Sequence, residues 1–162
     1  METHIRPLTS DDEPFLWEML YRAIHVPDGN SPPPRAVLQL PELSRYVQGW
    51  GCRGDCGFLA AVGQPVGAVW LRFLVGTNKG YGYVAEDTPE LSMAVLPSFR
   101  GQGIGTELLA TLLASRCGNT AISLSVSAEN PARRLYSRFG FEVVNESAGS
   151  LTMARGPVSW YN

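Results

Sequence analysis

The chain is short of several things at once. Among its 162 residues it has one lysine, Lys79, two histidines and three cysteines, and its 13 basic side chains fall short of its 15 acidic ones. A net charge of -2 excludes the clustered basic excess from which affinity for a phosphate polymer is built, so no nucleic-acid partner is expected. Cys52, Cys56 and Cys117 make an odd number, and the C-x-x-x-C of the first two lacks a second ligand pair at zinc spacing. The expectation is free thiols in a reducing cytoplasm and no metal. Met1, Glu2, Thr3 and His4, soon followed by Asp11, Asp12 and Glu13, do not form the basic start and apolar run of an export leader. The most apolar stretch, residues 58–75, is broken by Gln64, Pro65 and Arg72, so it reads as two strands around a turn rather than a membrane span. No membrane partner is expected, and a cytoplasmic location is.

What the chain does have is enough apolar surface for one core. At 44% hydrophobic content, a domain of this length buries roughly two-thirds of the surface that its unfolded chain exposes, so residues 1–162 are expected to form a single domain. A short strand over residues 4–8 leads to Thr9 and Ser10, either able to cap a helix whose first turn holds Asp11, Asp12, Glu13 and Pro14. Phe15, Leu16, Met19, Leu20 and Ala23 give that helix its apolar stripe. The loop 26–34 carries four prolines, and a second helix over 35–48 is expected with Pro41 interrupting it. Strands follow at 58–62 and 66–75, then a glycine-rich loop.

Leu91, Met93 and Val95 alternate with Glu90, Ser92 and Ala94, which is a strand; Ile104, Leu108, Leu109, Leu112 and Leu113 recur at helical spacing up to Gly118 and Asn119. Ile122, Leu124 and Val126 alternate with three serines in the next strand. Asn130 and Pro131 suit the cap and first position of a helix with Ala132, Leu135, Tyr136 and Phe139 inward. Strands at 141–144 and 151–154 close the chain as a hairpin. The strand, helix, strand run over 90–127 is a crossover, so its two strands should lie parallel in a mixed sheet.

The most specific signal is Arg100-Gly101-Gln102-Gly103-Ile104-Gly105-Thr106, between a strand end and an amphipathic helix. Glycines let the backbone approach a ligand, and the unpaired amides and dipole of the helix start make an anion site. Each hydrogen bond to a charged oxygen contributes about 1.5–3 kcal/mol, so a few amides hold a pyrophosphate without lysines. A nucleotide P-loop needs a lysine that is missing here, and the dinucleotide fingerprint needs glycine where Thr106 stands.

This segment, followed by Leu108 and Leu109, resembles the acyl-CoA signature of the GNAT superfamily of N-acyltransferases. Asn130-Pro131-Ala132, Leu135-Tyr136 and Phe139-Gly140-Phe141 are similar to that family's second block. The resemblance implies an α/β fold, a central mixed β-sheet flanked by helices on both faces. It also implies an N-acetyltransferase that moves acetyl from acetyl-CoA to a primary amine of a small molecule or peptide, by direct transfer and without a metal, as a monomer or homodimer. Carried onto this chain, the amides of Arg100, Gly101, Gln102, Gly103, Ile104, Gly105 and Thr106 hold the CoA pyrophosphate. Met93, Ala94 and Val95 meet the pantetheine arm, where the strands ending near Val95 and Val126 splay apart. Asn130 touches the same cosubstrate, Arg133 or Arg134 pairs with its phosphates, and Tyr136 lies near the thioester sulfur.

Two catalytic residues are expected. Tyr136 supplies a proton or hydrogen bond to the leaving thiolate, although its place on the inward stripe also fits a core aromatic. Glu90, on a strand where the resembled family often places a carboxylate, deprotonates the amine or relays its proton through water, although it also fits a strand-end carboxylate; His25 is a weaker candidate base. The acceptor cleft is expected to draw on Trp17, Tyr21, His25, Pro32, Pro33, Pro34, Trp50, Trp70, Tyr81 and Tyr83, with Glu86, Asp87 and Glu90 making it mildly acidic. The competing reading is a non-catalytic module that binds or senses acyl-CoA.

Overall fold

In the computed structural model, which describes residues 2–156, the elements follow the expected alternation. They are β1 (His4–Pro7), α1 (Glu13–Ala23), α2 (Pro41–Ser44), β2 (Cys56–Ala61), β3 (Pro65–Arg72), β4 (Glu90–Val95), α3 (Ile104–Ala114), β5 (Ile122–Ser127), α4 (Ala132–Arg138), β6 (Glu142–Ser147) and β7 (Ser150–Arg155). The strands form one mixed sheet in the order β1-β2-β3-β4-β5-β7-β6. The pair β4 and β5 is parallel and the other neighbours are antiparallel. Met1, from which the absence of a leader was read, and residues 157–162 of the expected domain lie outside the described residues.

Period-two alternation sends the side chains of each central strand to two separate cores. On one face Val69, Leu71, Leu91, Ile122 and Leu124 pack against Ile104, Leu108, Leu109 and Leu112 of α3 and Tyr136 of α4. On the other, Ala68, Trp70 and Ala94 pack against Leu16, Met19 and Leu20 of α1 and against Tyr46, Val47 and Trp50. Helices therefore cover both faces, as expected. Trp70 is fully buried because its indole Nε1 donates to the Tyr46 carbonyl at 3.0 Å, which removes the cost of burying its one polar atom. No helix among the described residues is long and apolar enough to cross a membrane.

Three local expectations are corrected. Over 35–48 there is no single interrupted helix but a 3-10 turn at Arg35–Gln39, then α2. Pro41 begins α2 rather than breaking it, since its fixed φ and missing N–H suit a first helical position. The helix α3 stops at Ala114, before Gly118, because Ser115 is extended and its hydroxyl accepts from the Cys117 amide to start a new 3-10 turn. Finally, Cys56 and Cys117 are joined in a disulfide, against the expectation of three free thiols; Cys52 is a free thiol. The packing of α3 across β2 brings the two Cα atoms to 6.3 Å, inside bridging range.

Candidate functional site

The sheet opens at its centre. Where the other ladders run for several residues, β4 and β5 share one Cα pair, Glu90 with Ser123, and part toward their carboxyl ends. A cavity of about 990 Å³ occupies the opening. Its floor is Met93, Ala94 and Val95 on one side and Ser125, Val126 and Ser127 on the other; Tyr21, His25, Pro32 and Pro33 wall the far end. The Tyr21 hydroxyl holds that wall by donating to the Pro33 carbonyl at 2.7 Å, and Arg35 stacks 4.4 Å over the Tyr21 ring while pairing with Glu18.

At the near end Arg100, Gly101, Gly103, Ile104, Gly105 and Thr106 line the cavity. Gly101 and Gly103 have φ of +75° and +84°, a region that L side chains enter only under strain. Gly105 has no such φ. A Cβ there would meet Met93 and Leu135 at 3.6 and 3.7 Å, ordinary contact, so the protein's own packing does not require glycine at 105. Among the described residues no carbonyl accepts from the amides of residues 101–106. These donors stand unclaimed at the dipole-positive mouth of α3, which suits a diphosphate.

One expected phosphate partner, Arg133, is placed differently, and the Arg100 amide is taken by the Pro97 carbonyl at 3.3 Å. Gln102 offers only its backbone amide, since its side chain is exposed, off the cavity wall, and donates to the Ser98 carbonyl at 3.5 Å. Arg133 lies with Arg134 in a second, smaller cavity of about 350 Å³. Arg100 lines the main cavity, but its guanidinium donates to the Val95 carbonyl at 3.0 Å and to the Arg22 carbonyl at 3.1 Å, bridging the glycine loop to the end of α1. Asn130 lines the cavity and its Oδ1 accepts from the Ala132 amide at 3.0 Å, which starts α4.

Tyr136 faces the cavity while 6% exposed, edge-on to Phe141 at 5.7 Å. Burial pushes its phenol well above the ordinary tyrosine range, so it is a protonated donor at neutral pH. Glu90 is not on the cavity wall. It is 2% exposed, under the loop that carries Gly80 and Gly82; its Oε1 accepts from the Gly82 amide at 2.7 Å and the Tyr46 hydroxyl at 3.0 Å. Burial raises its carboxyl above the usual range, against the lowering pull of the Gly82 amide, the Tyr46 hydroxyl, the Gly80 amide and the Arg45 charge.

The expected acidic cleft is also revised. Tyr21, His25, Pro32, Pro33 and Tyr81 line the cavity, but Trp17, Trp50, Trp70, Tyr83 and Pro34 do not. Glu86 binds the Tyr83 hydroxyl and Asp87 the Thr88 hydroxyl, so with Glu90 enclosed no carboxylate lines the cavity among the described residues. Sequence reasoning missed Tyr46 and Ser92, both on the wall. The period-two pattern that placed Ser92 on the face opposite Leu91 could have pointed to it. Nothing local marks Tyr46, whose partner Glu90 is remote in sequence.

Comparison with known proteins agrees with this geometry. The family described as "Acetyltransferase (GNAT) domain" matches residues 54–143. A curated relative, the L-2,4-diaminobutyric acid acetyltransferase of Nocardia farcinica, is 29% identical over 114 residues, a match spanning 60% of this chain and 59% of the relative's length. Among solved structures, yncA of Salmonella typhimurium, a putative acetyltransferase with its cofactor acetyl-CoA, superposes with a TM-score of 0.60 at 18% identity, covering 96% of this chain and 94% of that one. The ribosomal-protein-S18-alanine N-acetyltransferase of Escherichia coli gives 0.64 at 20% identity, with coverage of 96% and 94%. At such identities these two establish the shared fold.

Proposed function

The chain belongs to the GNAT acetyltransferase family, and from that premise we propose that residues 1–162 form one domain that transfers the acetyl group of acetyl-CoA to the primary amine of a small molecule, directly between the two bound substrates. The observation that carries the reading is the row of unclaimed amides over residues 101–106 at the mouth of the opening between β4 and β5. The fit to acetyl-CoA is good on this chain's own terms: free donors for a diphosphate, a glycine at 105 that internal packing does not demand, and strands β4 and β5 that do not pair with each other beyond Glu90 and Ser123, leaving an amide-bearing arm space between them. Acetyl-CoA, when bound, supplies the acetyl thioester.

The chain's residues divide the remaining work. Amides of residues 101–106 bind phosphate oxygens, with Arg100 holding their loop in place. Backbone groups of Met93, Ala94 and Val95 orient the arm, and Asn130 keeps α4 close with its Oδ1 on Ala132. Tyr136, protonated and on the wall, donates a hydrogen bond to the departing sulfur. For the acceptor, a wall of hydroxyls and an imidazole without a carboxylate favours an amine that carries an acid group of its own, such as a diamino acid, over a polyamine. The name of the Nocardia relative points the same way.

The test is a panel of amines with thiol release as readout, spanning L-2,4-diaminobutyrate, other amino acids, spermidine, 2-phenylethylamine, aminoglycosides and peptides. The expected result is turnover with small amino acids, and loss of turnover with intact acetyl-CoA binding in Tyr136→Phe. Failure of the wild type to bind acetyl-CoA in a calorimeter sinks the reading; binding without turnover of any amine favours a sensing module instead.

A further inference from the structure

The buried acid on β4 has an unusual set of neighbours. A carboxylate enclosed this far is ordinarily matched by a cation, yet no ion pair reaches Glu90 among the described residues. Arg72, its register partner on β3, is committed to Asp55 and to the carbonyls of Arg45 and Gln48. Arg45 spends its guanidinium on the Pro41 and Lys79 carbonyls. On β5, Ser123 stands opposite in register, but its hydroxyl makes no hydrogen bond, and neither does Glu90 Oε2.

Glu90 is instead tied to a phenol. Tyr46 Oη donates to Glu90 Oε1 and accepts from the Tyr81 amide at 2.8 Å, and Tyr46 itself lies on the cavity wall beside Tyr81 and Ser92. The loop above is shaped to this contact. A Cβ on Gly80 would collide with Glu90 and the Tyr46 hydroxyl, and one on Gly82 with the backbone of Leu124 and Ser125. Tyr46 thus links the enclosed acid to a residue of the cavity wall.

We infer that Tyr46 is the group that meets the acceptor amine, taking its proton on Oη while passing its own hydroxyl proton to Glu90, which acts only through Tyr46. This rests on the acetyltransfer reading above and supplies its acceptor side. In the step one N–H bond breaks, one O–H forms at Tyr46 as another breaks, and the carboxylate ends as a carboxylic acid; no tyrosinate accumulates. Glu90 must start ionised, so activity rises with pH through its titration, and since burial raises that titration the acid limb lies above the ordinary carboxylate range.

Tyr46→Phe and Glu90→Gln, singly and together, test this with acetyl-CoA and either L-2,4-diaminobutyrate or 2-phenylethylamine as acceptor, whichever the wild type turns over. Each single variant is expected to lose about 100-fold or more in kcat. Acetyl-CoA affinity should be unchanged, the acid limb of kcat/KM against pH should vanish, and the double variant should lose no more than either single one. A Tyr46→Phe enzyme that keeps both rate and acid limb overturns the relay. Should Tyr46→Phe not fold, Glu90→Gln decides: retention of the limb overturns the relay, and its loss with intact circular dichroism upholds it. A wild type that acetylates no amine overturns the acetyltransfer reading, and the relay with it; an active wild type with indifferent variants overturns the relay alone.

Discussion

Gly105 differs in kind from Gly101 and Gly103. The latter two sit at positive φ, so a bulky replacement there strains the backbone and confounds any binding assay, whereas Gly105 sits in the first turn of α3, where a Cβ would make only ordinary contact with Met93 and Leu135. Gly105→Leu should leave stability unchanged or raise it by up to about 1 kcal/mol through helix propensity. Its side chain would fill the cavity, so acetyl-CoA affinity should fall at least tenfold, read by calorimetry beside a thermal melt. Glu90 is the opposite case, a residue kept at a cost to stability. Its folded-state titration is raised, so its favourable contribution is complete below the unfolded carboxyl's range and is lost as pH rises through the folded one. Glu90→Gln should therefore melt higher than the wild type at pH 8, and the gap should close toward pH 4. A variant that melts lower at pH 8 would mean that the ionised carboxylate supports the fold.

At the scale of elements, the hairpin of β6 and β7 turns through Ala148 and Gly149, at φ of +49° and +83°. Two consecutive positive values make a type I′ turn, in which alanine is strained and asparagine is tolerated. Ala148→Asn should raise stability by about 0.5–1 kcal/mol in a denaturant titration, with cosubstrate binding untouched. The tie between β2 and the turn after α3 is equally open to test: denatured without reductant, the chain should titrate one thiol, Cys52, and with reductant three. Elements were legible because their signals are local, as in the alternation of Ile122, Leu124 and Val126 with serines or the glycines ahead of α3. The glycine loop that lines the near end of the cavity was legible for the same reason. The pairing of Tyr46 with Glu90 was not, since the two meet only when α2 and the loop of Gly80 and Gly82 fold over the sheet, and neither were the directions of the Gln102 and Arg133 side chains, which no spacing reveals.

For the molecule as a whole, the opening between β4 and β5 is a gap in the ladder that ties the antiparallel half of the sheet to β5, β7 and β6. A ligand that pairs with both edges closes that gap. Acetyl-CoA at about 100 times its Kd should add about 2.7 kcal/mol, a rise of roughly 5–10 °C in Tm, with hydrogen exchange slowed most near Val95 and Val126. A rise confined to high concentration, with exchange unaltered at those strand ends, would argue against pairing across the gap. The Arg100 guanidinium, which reaches from the glycine loop to the last turn of α1, has a kinetic corollary. The rung joins the glycine loop to an element on the cavity wall, so Arg100→Ala should loosen both together, raising KM for acetyl-CoA and for the amine in the same initial-rate series.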